Sequence, residues 1–314
     1  TENSPVTSSV DFDAEGKQSG NLAVPQSTNS AGWAKYFVPC FVIRNGEGPT
    51  AVLCGGNHGD EYEGPVTLMN LFRELNPSEI RGRIIMIPML NHPAVAAGTR
   101  LSPIDGANMN RAFPGRPTDT ITGMIAHFVS TQVLPLADLV IDIHSGGSSM
   151  HMLPSVNMHR VDDANQMARM LDAGRAWGAP YVFLYNDVAG SGLLPSFAES
   201  LGKVTLGTEM GSKAQFGVDM LRHTSRVRNV LHHAGILRDA CSDPGEAEPV
   251  VVAADNEEDY IMSPASGIFE PFVELKDRIA TGQQIGQIHS LEHPDRPTEP
   301  VVAASDGMLF VRRS

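Results

Sequence analysis

The chain reads as an α/β protein: a mostly parallel sheet with helices on both faces, followed by a small C-terminal all-β sandwich or barrel. Three observations predict this. Short apolar runs such as Ala51-Val52-Leu53-Cys54 and Leu139-Val140-Ile141 have the length and composition of buried strands. Between them lie stretches whose apolar residues recur at helical spacing, and strands alternating with helices imply a parallel sheet covered on both faces. Near Cys241 the texture changes. Beyond it, short apolar runs are punctuated by Pro264, Gly267, Gly282, Gly286 and Gly307, as in a small all-β unit.

The elements follow in order. After a polar start, residues 33–43 mix apolar and polar residues in a strand-like way. Residues 50–55 read as a buried strand. A helix over 61–75 is predicted by Val66, Met69, Leu71, Phe72 and Leu75. Residues 83–87 form the next strand, closed by Pro88. Residues 91–117 are rich in Gly, Pro, Asn and Asp without a clear period, and so long a loop in a compact domain is usually functional. A helix over 118–134 starts at Thr118 or Asp119 as cap, and a strand follows over 138–143. Helices are then expected over 164–177, 193–201 and 218–236, with strands over 181–184 and 203–206. The segment 242–259 is rich in acid, Ala and Pro around Val250-Val251-Val252. We therefore divide the chain into a catalytic α/β domain, 1–242, and a small β domain, 243–314.

The 314 residues suit one large globular domain, or one large and one small. No run of about 18 apolar residues occurs, so a membrane-spanning helix is not expected. The polar stretch Thr1–Gly20 lacks the basic start and apolar core of a signal peptide. A formal net charge of -13 with no basic cluster argues against nucleic acid or anionic lipid as a partner. A small anionic substrate stays compatible, because local arginines can dominate a pocket. Cys40, Cys54 and Cys241 are odd in number and widely spaced, which gives neither a disulfide framework nor a zinc-knuckle pattern. A reducing, cytoplasmic compartment is expected. A homo-oligomer is allowed, and the sequence sets no oligomeric state.

The chemistry gathers at strand ends. His58 and Glu61 follow the strand 50–55, within Gly55-Gly56-Asn57-His58-Gly59-Asp60-Glu61. On a loop entering a helix, three-residue spacing sets both side chains on one face. His144 follows the strand 138–143, with Asp142 two residues earlier on the same strand face, where it can orient a ligand histidine. Two His and one carboxylate are the ligand set of a catalytic zinc with one position left for water. Ligands of an open α/β sheet lie beyond the carboxyl ends of its strands. Glu209, in Gly207-Thr208-Glu209-Met210-Gly211, stands at a third strand end and is the best candidate for a general base. The loop 98–115 carries Arg100, Asn108, Asn110 and Arg111; Arg suits capture of a carboxylate or stabilisation of an oxyanion. The bland alternatives are a capping Glu61, a structural His144, a salt-bridged Glu209 and arginines paired on an acidic surface. The clustering of the candidates favours the metal reading.

Together these residues resemble the succinylglutamate desuccinylase/aspartoacylase family, a branch of the zinc-carboxypeptidase-like fold. The pieces that carry the resemblance are Gly56–Glu61, Asn108-Met109-Asn110-Arg111-Ala112-Phe113-Pro114-Gly115, Asp142-Ile143-His144-Ser145 and Thr208-Glu209-Met210-Gly211, in the expected order. The resemblance implies one Zn2+ per chain, bound by His58, Glu61 and His144. It implies Glu209 as the base that activates water and the acid that protonates the leaving amine. Asn110 and Arg111 would hold the substrate's α-carboxylate, and Arg100 would polarise the scissile carbonyl. Family members usually carry Asp where Asn108 stands here, so Asp142 or Asp105 is expected to supply the carboxylate behind the histidines.

The tail over 260–311 is similar to the β-domain that family members carry beside the active site, in the pattern of a biotinyl/lipoyl-type sandwich. The lysine flanked by methionines that would bear such a group is absent, and neither modification is expected. Within the family the pattern is most like the deacetylases of ectoine degradation, which act on N-acetyl-2,4-diaminobutyrate. The implied substrate is thus a small N-acyl amino acid. Succinylglutamate desuccinylase or aspartoacylase activity is the nearest alternative, then a metallocarboxypeptidase, then an inactive binding module for acylated amino acids.

Overall fold

The computed structural model describes residues 4–186, 192–211, 217–240, 243, 245 and 248–313. The chain enters through β1 (Thr7–Ser8) and the long hairpin of β2 (Gly16–Pro25) and β3 (Lys35–Asn45). The alternating part follows as β4 (Thr50–Gly55), α1 (Glu63–Glu74), β5 (Gly82–Ile87), α2 (His92–Ala97), α3 (Ile121–Phe128), β6 (Leu139–His144) and β7 (Met150–Met152). It continues as β8 (Ser155–His159), α4 (Ala164–Trp177), β9 (Tyr181–Tyr185), α5 (Leu194–Ser200), β10 (Val204–Glu209), α6 (Val218–Ser225), α7 (Val227–His233) and β11 (Val250–Ala254). The remainder is β12 (Ile268–Pro271), β13 (Arg278–Ile279), β14 (Gln284–His289), β15 (Glu299–Val302), β16 (Gly307–Met308) and β17 (Val311–Arg313).

Ten strands make one sheet in the order β1-β2-β3-β5-β4-β6-β10-β8-β9-β11. The central strands β5, β4, β6 and β10 are parallel, and so are β8, β9 and β11 among themselves. Antiparallel pairing is confined to the β1-β2-β3-β5 side and the junction of β10 with β8. The central strands are buried on both faces, and their side chains divide by parity. Ala51 and Leu53, Ile84 and Met86, and Leu139, Ile141 and Ile143 face one core, with Leu68 and Leu71 of α1, Trp177 of α4 and Val230 of α7. Val52 and Cys54, Ile85 and Ile87, and Val140 face the other, with Ile121 and Ile125 of α3 and Leu194 of α5. Two stripes per strand require a helical cover on each side, which is why the apolar runs are unbroken rather than alternating. The expected mostly parallel sheet with helices on both faces is thus observed, together with small antiparallel sheets at the C-terminal end, β12-β14-β15 and β13-β16. Ile279, Ile285, Ile288, Val301 and Ala303 form their core.

Several elements differ from expectation. Residues 16–25 and 155–159 are strands that the sequence reading omits. The first is half polar because one face of the hairpin meets solvent; the second is only five residues long. The loop over 91–117 contains the short helix α2. The single helix expected over 218–236 is two, broken at Arg226, whose buried guanidinium donates to the Gly178 carbonyl at 2.6 Å. Val250–Ala254, which the division at 242/243 puts in the small β domain, pairs with β9 in the large sheet. Its apolar run is explained by that pairing. Cys241 and Ser242 lie outside the described residues.

Order and direction position the site. After β4 the chain moves to β5 on one side; after β6 it continues to strands on the other. Between β4 and β6 the strand order therefore switches, and ligands of open α/β sheets bind beyond the carboxyl ends of the strands at such a point.

Candidate metal centre and active site

His58 and Glu61 sit in the turn between β4 and α1, and His144 is the last residue of β6. The pair is not on the first helical turn as the spacing suggests: α1 starts at Glu63, with Tyr62 at its cap. Glycines make the turn instead. Gly56 adopts φ +61°, which favours glycine. A Cβ on Gly59 would collide with the backbone of Ala94 and Val95 in α2, and the Gly59 amide donates to the Thr99 carbonyl at 2.9 Å. Gly59→Ala is therefore expected to push α2 off the turn. We expect a loss of about 1–3 kcal/mol of stability, as overpacking costs, together with weaker metal binding. A thermal melt and a metal titration of that variant check it.

One ligand atom from each of His58, Glu61 and His144 lies within 4.8 Å of the others, and all three side chains are buried. His58 Nδ1 is 2.7 Å from Glu61 Oε1, and His144 Nδ1 is 2.8 Å from Glu61 Oε2. Each imidazole commits its other nitrogen to an outer acceptor. His58 Nε2 meets Asn108 Oδ1 at 3.1 Å, and His144 Nε2 meets Asp142 Oδ2 at 2.8 Å. Asn57 Nδ2 donates to the same Asp142 oxygen at 3.0 Å, and the Ser145 amide donates to Glu61 Oε2 at 3.3 Å. Asp142 therefore fills the expected place behind His144. Asp105 does not serve the histidines: its carboxylate accepts from the amide and hydroxyl of Thr122 at the start of α3, at 2.9 and 3.0 Å. The amide oxygen of Asn108 takes the place of the missing carboxylate, because a hydrogen-bond acceptor is all that the Nε2–H of His58 requires.

A divalent cation fits this donor set. An imidazole that donates from Nε2 keeps a lone pair on Nδ1, the state a metal ligand needs. Two such nitrogens facing one carboxylate place three electron-rich atoms together in a buried pocket. Burial of uncompensated charge costs several kcal/mol per group. The Arg100 guanidinium, 3.4 Å from Glu61 Oε1, compensates part of it, and protons on the imidazoles or a metal can supply the rest. The electrostatics agree. Burial pushes the Glu61 carboxyl up, but the two histidines outweigh it and hold that carboxyl well below the usual range. Burial opposes a proton on His144, but Asp142 and Glu61 outweigh it and raise that imidazole well above its ordinary value.

Glu209, the last residue of β10, pairs in register with His144 across the parallel ladder. It is partly accessible, and its Oε2 is buried without a hydrogen-bond partner among the described residues. Burial first, then the Glu61 charge, push its carboxyl up to about 8. Arg100 approaches from the long loop, its Nη1 3.3 Å from His58 Nδ1 and 3.4 Å from Glu61 Oε1. Asn110 is buried, and its Oδ1 accepts the Leu194 amide at 3.1 Å, which leaves its Nδ2 as the group able to donate elsewhere. Arg111 is exposed, and its Nη1 donates to the Asn110 carbonyl at 2.6 Å. The structure thus brings His58, Glu61, His144, Glu209 and Arg100 together and sets Asn110 and Arg111 on the adjoining loop, where Asn108 links that loop to His58.

Sequence reasoning missed Asn57, which steadies Asp142, and Asp60, whose Oδ2 accepts the Ser148 amide at 2.9 Å. Both lie inside the glycine-rich motif. Their partners are 85 and 88 positions away, so spacing carries no signal of the contact.

The comparisons with known proteins agree with this geometry. Residues 47–234 match the succinylglutamate desuccinylase/aspartoacylase catalytic domain. The chain is 36% identical over 311 residues to the N-alpha-acetyl-L-2,4-diaminobutyric acid deacetylase of Halomonas elongata, covering 99% of this chain and 91% of that protein. It superposes on the product-bound ectoine utilization protein EutE (DoeB) of Ruegeria pomeroyi with a TM-score of 0.94 and 34% identity, covering 100% of this chain and 95% of the other. A succinylglutamate desuccinylase/aspartoacylase from Rhodobacter sphaeroides gives 0.91 at 36% identity, covering 99% and 95%. Similarity of sequence and fold over nearly the whole length, with the histidine–glutamate–histidine cluster inside the matched region, shows that the chain belongs to the succinylglutamate desuccinylase/aspartoacylase family.

Proposed function

We propose that this protein is a zinc-dependent deacylase of N-acyl amino acids and that its substrate is N-acetyl-2,4-diaminobutyrate. The observation that carries the chemistry is the register pair of Glu209 with His144: a carboxyl raised to about 8 beside a histidine–carboxylate–histidine cluster. A general base works best with a pKa near the operating pH. The substrate assignment rests on the full-length similarity to the Halomonas elongata deacetylase.

His58 Nδ1, His144 Nδ1 and a Glu61 oxygen would hold one Zn2+, which when bound supplies Lewis-acid polarisation of the scissile carbonyl and acidifies a water. The remaining work falls to the chain's own groups. Glu209 takes the proton from the attacking water and returns it to the departing amine nitrogen. Arg100 stabilises the negative charge that develops on the carbonyl oxygen. Asn110, through Nδ2, and Arg111 fix the substrate carboxylate. Asp142 and Asn108 keep both imidazoles in the Nε2-protonated tautomer. A reducing, cytoplasmic setting is proposed as well, supported by the burial of Cys40 and Cys54 as free thiols.

The test is a substrate panel. Zinc-loaded protein is incubated with N-acetyl-2,4-diaminobutyrate, N-succinylglutamate, N-acetylaspartate and short dipeptides, and free amine is measured. The diamino substrate is expected to give the highest kcat/KM; a preference for any other member overturns the assignment. Arg111→Ala is expected to raise KM by about tenfold, the worth of one good charge-assisted hydrogen bond, with kcat nearly unchanged. An unaltered KM shows that the carboxylate is bound elsewhere.

A further inference from the structure

We infer that Asp60 and Ser148 form a brace that positions the metal ligands, so that Asp60 is a positioning residue for metal affinity although it ligates nothing itself. The inference rests on the metal-site reading proposed above and concerns a pair of side chains outside the ligand set.

Asp60 directly precedes Glu61 and is 2% exposed. Its side chain crosses to the turn that follows His144. There Asp60 Oδ2 accepts both the backbone amide of Ser148, at 2.9 Å, and its hydroxyl, at 2.5 Å. The two segments that deliver the ligands, 58–61 after β4 and 144 at the end of β6, are 83 positions apart at Glu61 and His144. Asp60–Ser148 is a second tie between those segments, parallel to the ligand contacts.

The turn it grips has little freedom. Gly147 adopts φ +54°, and a Cβ there would come 2.8 Å from Asp60 Oδ2, so the carboxylate packs against bare backbone. The Gly146 amide donates to the Gly211 carbonyl at 2.8 Å, just beyond Glu209, and Met150 N returns to Gly146 O at 2.9 Å. From Met150 onward the chain pairs with β17, and Arg313 Nη1 donates to the Ser149 carbonyl at 2.6 Å. The turn 145–149 thus meets the Glu61 segment, the Glu209 strand and the C-terminal strand. Ser145 N, three residues before Ser148, is the amide that donates to Glu61 Oε2. Holding Ser148 holds that amide, and with it the orientation of the Glu61 carboxylate between the two imidazoles. Charge-assisted bonds of this kind are about twice as strong as neutral ones. Partners that orient metal ligands are typically worth 10–100-fold in affinity.

The experiment is a double-mutant cycle on the full chain, with zinc affinity measured by chelator competition and no substrate present. Asp60→Ala is expected to weaken zinc binding tenfold or more, and Ser148→Ala threefold or more. The double variant should stay within twofold of Asp60→Ala, because both act through one contact. Cobalt-substituted Asp60→Ala should show an altered visible absorption spectrum, which a general loss of stability would not produce. Zinc affinity of Asp60→Ala within twofold of wild type, or effects of the two substitutions that multiply in the double variant, overturn the brace. Should Asp60→Ala fail to fold, Ser148→Ala decides: threefold weaker binding supports the brace and unchanged binding ends it. Wild-type protein that takes up no zinc would instead sink the metal reading itself.

Discussion

Glu209→Gln is expected to retain zinc, lose at least about a thousandfold in kcat, and melt at a higher temperature than wild type when both are metal-free at pH 8. The two effects share one cause. Desolvation of the carboxyl at the end of β10, and then the charge of Glu61, raise it from 4.5 to about 8. In the proposed mechanism that shift would prepare it to take and return a proton near neutral pH, and general acid–base catalysis is worth about 10²–10⁴-fold. A group that would act on both the water and the leaving amine should sit toward the upper part of that range. The same shift costs stability. An acid whose folded pKa is raised holds its proton more tightly in the native state than in the unfolded chain. Between about 4.5 and about 8 the native state therefore binds more protons, and stability falls as pH rises through that window. Gln cannot ionise, so the variant escapes the loss. The difference in Tm between variant and wild type should be small near pH 4.5, grow toward pH 8 and level off above it. Wild-type turnover in the variant would remove Glu209 from the mechanism. A pH-independent Tm difference would show that the carboxyl is not strained.

How much of this was legible in the sequence depends on the range of the forces involved. The strands β4, β6 and β10 announce themselves because a strand covered by helices on both faces must be apolar throughout. Their carboxyl ends then locate His58, Glu61, His144 and Glu209 without knowledge of pairing. The hairpin strand Gly16–Pro25 gives no such signal, since one of its faces is wet. The strand Val250–Ala254 looked like part of the C-terminal unit because chain order says nothing of lateral pairing: it joins β9, whose last residue lies 65 positions earlier. Within the site, residue type and spacing nominate ligands but not the groups behind them. Asn108 stands where the resemblance leads one to expect an acid, yet its amide oxygen meets the need of His58 for an acceptor. Asp60 and Asn57 looked like turn formers, and only the fold shows that each reaches the β6 segment.

The metal's hold should depend steeply on pH, and the sign follows from the proton that it displaces. In the metal-free protein, burial disfavours a proton on His144, but Asp142 and Glu61 outweigh it, so the imidazole stays protonated well above its ordinary 6.5. That proton stabilises the metal-free fold below about 6.5, and its contribution is lost as pH rises through the raised native value. Zinc requires the same nitrogen with its lone pair free, so loading must expel the proton. Apparent affinity should therefore climb with pH through the neutral range, about tenfold per unit for each proton released, and flatten once His144 is deprotonated without metal. Chelation should abolish turnover, and re-addition of zinc should restore it. Calorimetric titrations in buffers of different ionisation enthalpy count the protons directly. A count near zero at pH 7 would mean that His144 is already neutral before zinc binds and that zinc displaces no proton from it. Asp142→Ala supplies the matching control. Without its outer acceptor His144 should lose part of its raised affinity for the proton, the Glu61 share remaining. Zinc should bind that variant about 10–100-fold more weakly, with a shallower dependence on pH.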